Sequence, residues 1–135
     1  ASAGGLQGSF LAFLATTAQP ASVRFGSQLL PWVRPDGVVV ATTDADVFAA
    51  TPQLTAAIDV DALGKYWPES TGSTTVYTGA INPIVTSAAG GAESCSDWSA
   101  SGTARVGELT DTTARFFSEA SQSCATPRQI YCLQQ

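Results

Sequence analysis

The sequence predicts an α+β domain of many short strands and long loops with little helix. Three observations predict it. Runs of β-branched and aromatic residues are short and are separated by clusters of Gly, Pro, Ser and Thr. No segment holds a helical period over several turns. All three cysteines fall in the last third of the chain, at Cys95, Cys124 and Cys132, as expected of a loop-rich scaffold stapled by disulfide. At 135 residues the chain is long enough to bury a core and is expected to form one domain, 1–135.

Taken in order, residues 1–8 are small and flexible. The run Ser9-Phe10-Leu11-Ala12-Phe13-Leu14-Ala15-Thr16-Thr17 places Phe10, Phe13 and Leu14 at helical spacing, but the flanking glycines and Thr16-Thr17 favour a buried strand. Residues 19–23 read as a single helical turn with Pro20 at an early position. The strongest local signal is Pro35-Asp36-Gly37 between Leu29-Leu30-Pro31-Trp32-Val33 and Val38-Val39-Val40-Ala41. Pro fixes φ, Asp bonds its own backbone and Gly takes φ > 0, which makes a hairpin. Residues 44–50 predict a short helix capped by Thr43 or Asp44, and 54–60 an edge strand. Residues 66–73 read as a loop, 74–79 as a strand, and 87–91 as a soft tip. Residues 102–113 read as loop with short strands at best, and 129–133 as a closing strand.

Composition excludes several functions. The chain is 44% hydrophobic, yet no apolar stretch approaches the length a bilayer span needs. Six Lys and Arg stand against eleven Asp and Glu, for a net charge of −5. The cations are spread from Arg24 to Arg128, so nucleic acid and other polyanions are not expected partners. The chain has no His, which removes Ser–His and Cys–His nucleophile pairs. Zinc coordination is likewise disfavoured, as there is no Cys-x-x-Cys pair either.

Three cysteines are an odd count, so one thiol is left over within the chain. A Cys95–Cys124 bridge would close a long loop and contribute roughly 3–4 kcal/mol; a Cys124–Cys132 bridge is also possible.

The motifs Cys95-Ser96-Asp97-Trp98-Ser99, Ser123-Cys124 and Ile130-Tyr131-Cys132 resemble the C-terminal part of endostatin-like domains, which have the C-type-lectin-like fold. Gly5-Leu6-Gln7-Gly8-Ser9-Phe10-Leu11-Ala12-Phe13-Leu14 is similar to that family's first core strand. Val38-Val39-Val40-Ala41 and Val76-Tyr77-Thr78-Gly79 are similar to two further strands. The resemblance is nearest to bacterial endostatin-like surface and secreted proteins, and it spans nearly the whole chain in short motifs. It implies a C-type-lectin-like fold of short twisted antiparallel strands. It also implies an inner bridge matching Cys95–Cys124, and an outer bridge joining Cys132 to a cysteine on a helix upstream of Ala1, or to a second chain.

Candidate sites follow from residue type. Asp44 with Asp46 and Asp59 with Asp61 are oxygen-rich pairs that could ligate calcium or, for Asp59 and Asp61 on one strand face, act as paired carboxylates. Neither pair matches a calcium-loop pattern, and Asn82-Pro83 and Asp97-Trp98 are only fragments of the lectin sugar site. Tyr66 and Trp67, with Glu69 in the same loop and Asn82, are the candidate ligand-binding residues, because exposed aromatics stack on sugars or fill partner pockets. The competing reading folds this loop onto the core. Trp32 and Trp98 are expected in the core, Trp98 against the disulfide. No catalytic residue and no cofactor is expected. The expected function is an extracellular, non-enzymatic module binding a protein, matrix or glycan. The alternatives are a structural or adhesin subunit and a carboxylate-based hydrolase.

Overall fold

A computed structural model describes residues 5–26, 30–68 and 73–135. Among them run eight short strands and two one-turn helices: β1 (Phe10–Ala12), β2 (Trp32–Val33), β3 (Val39–Ala41), α1 (Asp44–Val47), β4 (Thr75–Tyr77), α2 (Cys95–Trp98), β5 (Thr103–Glu108), β6 (Ala120–Ser123), β7 (Gln129–Ile130) and β8 (Cys132–Gln134). Three sheets result, ordered β1-β8, β2-β3 and β6-β5-β4-β7. The α+β composition with little helix is as predicted.

The hairpin is built as the turn residues dictate. Gly37 takes φ +85°, its N–H donates to the Arg34 carbonyl at 2.9 Å, and the Arg34 N–H donates to Val38. Helix α1 begins at Thr43, where the Asp46 carboxylate reaches back to the N–H groups of Thr42 and Thr43. A 3-10 turn at Ala21–Arg24 follows Pro20, close to the predicted single turn.

Five expectations are corrected. The first strand covers only Phe10–Ala12, because beyond it the Phe13 and Ala15 N–H groups turn to the carbonyls of Tyr131 and Thr78. Residues 54–60 form no edge strand. Leu54 and Thr55 donate to the carbonyls of Thr112 and Val40, so the segment stitches two neighbours together, and only Val60 makes a bridge, to Tyr66. Residues 102–113 contain β5, which at six residues is the longest strand described and pairs on both sides. The soft tip is a 3-10 turn, Ala89–Gly91, whose Gly91 is buried against Ser96. Pairing is antiparallel except between β4 and β7, which run parallel.

The main core gathers around Phe13, whose ring meets Phe25, Phe48 and Phe117 at 5.7, 5.5 and 5.1 Å between centroids. Trp32 joins it through Phe25 and Phe48. A smaller cluster of Tyr77, Cys95, Ala104 and Val106 packs against Trp98 and Cys124. Its disulfide joins Cys95 and Cys124 with their Cα atoms 5.9 Å apart. Trp32 and Trp98 thus both pack where the sequence places them. Helix α2 is left-handed: Cys95, Ser96, Asp97 and Trp98 have φ of 51°, 52°, 55° and 65°. Such backbone costs about 1–2 kcal/mol per residue. It is held by the disulfide, by the Asp97 carboxylate on the Thr17 N–H at 2.7 Å, and by Trp98 Nε1 on the Ala15 carbonyl at 2.9 Å.

Candidate ligand-binding cleft

The β2–β3 hairpin and the loop after Ala57 are tied together at Arg34. All five of its N–H groups are engaged. Nε and one Nη2 hydrogen form a bidentate pair with Asp36 at 3.1 and 2.6 Å. The Nη1 hydrogens go to the Ala57 carbonyl, at 3.1 Å, and to Asp59. The last donates to the Tyr66 hydroxyl at 3.1 Å, which in turn donates to Asp36 at 2.8 Å. The guanidinium also lies 5.3 Å from the Tyr66 ring centroid. Its bond to Asp36 holds that carboxyl down at about 2, and the Asp36 carboxylate raises the Tyr66 phenol.

Two residues on, Asp61 closes its own loop. Oδ1 accepts the N–H groups of Leu63 and Lys65 at 2.8 and 3.0 Å, and Oδ2 accepts Trp67 Nε1 at 3.2 Å. The backbone N–H of Lys65, then the indole N–H of Trp67, lower its pKa. Trp67 packs, partly buried, against the main core, while Tyr66 is 56% exposed. The aromatic pair is therefore split between the two readings the sequence left open.

Between this loop, the hairpin and the last strands lies a cleft of about 600 Å³, within the range of ligand sites. Its buried lining includes Trp32, Val40, Leu109, Tyr131 and Leu133, and Trp67, Asp59 and Asp61 line it from the loop. Exposed apolar side chains also line it: Leu30 at 77%, Val33 at 51% and Ile130 at 44%. Gln129 lines it too, and its Oε1 is buried without a hydrogen bond. Cys132, on β8, is a free and exposed thiol in the same lining.

The other predicted residues lie elsewhere. Asn82 accepts the Ile84 N–H at 3.1 Å in a local turn and does not line the cleft. Asp46 serves α1, and Asp44 accepts Trp32 Nε1 at 3.3 Å. Glu69 lies outside the described residues. Among those described, no group of three or more His, Cys, Asp or Glu stands together as a metal cluster. Asp59 and Asp61 are drawn to different partners, Arg34 and their own loop. A general acid needs a raised pKa, and that of Asp61 is lowered. Sequence reasoning missed Arg34 as the hub, although an Arg ahead of a Pro-Asp-Gly turn offers a fork two residues from a carboxylate. It also missed Leu30, Val33 and Ile130, which read as ordinary strand residues.

Comparison of the chain with known protein families, curated proteins and solved structures returns no match.

Proposed function

We propose that this domain is an extracellular, non-enzymatic binding module of the C-type-lectin-like kind, taking a protein, matrix or glycan ligand in the cleft and on the Tyr66 loop beside it. The observation that carries the reading is the exposed apolar group of Leu30, Val33 and Ile130 along a cleft with a buried aromatic lining. Apolar side chains left in water beside a concavity are a mark of interaction surfaces. The Cys95–Cys124 bridge supports an oxidising compartment, and the engagement of Asp59 and Asp61 by internal partners disfavours the hydrolase. The test is surface plasmon resonance of the domain against extracellular matrix proteins, with a glycan array beside it. A Val33→Gln/Ile130→Gln variant should lose at least tenfold in affinity for any ligand found, with its thermal midpoint unchanged. Binding that ignores these substitutions would reject the cleft as the site.

A second reading has its own observation. The exposed thiol of Cys132 favours a covalent link to an upstream segment or a second chain, as in a surface assembly. Non-reducing gels of the mature protein should show a bridged species that Cys132→Ser removes. A free Cys132 thiol in that protein would reject it.

A further inference from the structure

We infer that the cleft recognises a peptide segment carrying Lys or Arg beside apolar side chains. The inference rests on the proposed binding role and names the chemistry of the ligand.

Charge is the first argument. The charged residues that line the cleft are one guanidinium, Arg34, and two carboxylates, Asp59 and Asp61, and Arg34 is further shared with Asp36 beside it. Lys65 acts on Asp61 through its charge, and the excess is still negative, as it is for the whole chain at −5. Arg34 has no N–H to spare for a ligand anion, since all five are engaged. Acceptors, by contrast, are open. Among the described residues, Asp59 Oδ2 accepts no hydrogen bond, and Asp61 Oδ2 accepts only Trp67 Nε1. An ammonium or guanidinium fits this equipment and a carboxylate or phosphate does not.

The second argument selects a peptide. The lining is largely apolar, with Val33 and Ile130 exposed within it, which suits aliphatic or aromatic side chains. Interleaved with them are the amides of Gln7, Gln129 and Gln134, each with donors and an acceptor that match a peptide backbone.

The experiment is selection of a phage-displayed random dodecapeptide library on the immobilised full chain, followed by affinity measurement of one synthesised enriched peptide. Enriched sequences should carry at least one Lys or Arg flanked by apolar residues. Ile130→Lys and Ile130→Glu both remove the same exposed apolar side chain and differ only in charge. The Lys variant should bind at least tenfold more weakly than the Glu variant, and raising salt should weaken binding to the native cleft. Enriched peptides without basic residues, equal affinity of the two variants, or no enrichment at all would overturn the inference. A neutral, acidic or glycan ligand lost equally in both variants would leave the cleft as a binding site and remove only its charge preference.

Discussion

At the scale of single residues, Arg34 is the side chain on which the candidate site depends. Its side chain is 8% exposed and pairs with both Asp36 and Asp59, so removing it strands two carboxylates and the Ala57 carbonyl. Arg34→Met should therefore cost about 2–3 kcal/mol, read as a shift in urea midpoint at unchanged slope. It should also loosen the Tyr66 loop. Asp36 gives the pH dependence its sign. Its pKa in the folded chain is about 2, below the value of about 4 for an unfolded aspartate. The stabilisation is thus fully present above about pH 4 and is lost as pH falls toward 2. Asp46, Asp61, Asp97 and Asp111 are lowered as well and act in the same direction. The thermal midpoint should drop on acidification through this window, and Asp36→Asn should make the drop shallower.

At the scale of elements, two close approaches decide the architecture. Gly107 in β5 has no room for a side chain, since a Cβ there would lie 1.8 Å from the Phe116 carbonyl oxygen. Gly107→Ala should cost about 3 kcal/mol, measured by chemical denaturation. The left-handed α2 is the other. Its Asp97 carboxylate holds the Thr17 N–H, so Asp97→Ala should speed hydrogen exchange at that amide. The hairpin, the start of α1 and β4 were legible because their signals are local: a Pro-Asp-Gly turn, a Thr cap, a β-branched run. The closing strand read over 129–133 divides at Tyr131 into β7 and β8, and α1 ends at Val47, short of residue 50. Strand β5 was not legible, because its buried positions are Ala104 and Val106 on one face and Gly107 on the other, small or short residues among Gly and Thr that read as loop. The failed edge strand at 54–60 shows the converse. Loose alternation was present, but the backbone found its partners one residue at a time on Thr112 and Val40. Of the cleft lining, Trp67, Asp59, Asp61 and Cys132 were singled out beforehand, with Tyr66 on the loop beside it. Arg34 and the apolar rim come together across the hairpin, the loop and the last strands, a juxtaposition no local pattern records.

At the scale of the whole molecule, the segment 129–134 binds the parts together. Through β7 it lies parallel to β4, and through β8 it lies antiparallel to β1. Residues 1–135 produced alone and treated with Ellman's reagent should titrate one thiol, Cys132, because Cys95 and Cys124 are bridged to each other. The Cys95→Ala/Cys124→Ala variant should lose about 3 kcal/mol.

The pairing of Phe10 with Gln134 sets an order in time. A growing polypeptide on the ribosome cannot seat β1 until its ladder partner has been made, so β1 waits while the more than one hundred residues between Ala12 and Cys132 are added. Contacts so distant along the backbone make for slow closure. Until then the strand at Phe10 lacks its ladder partner, and a chaperone that holds early apolar segments should raise the yield of native protein.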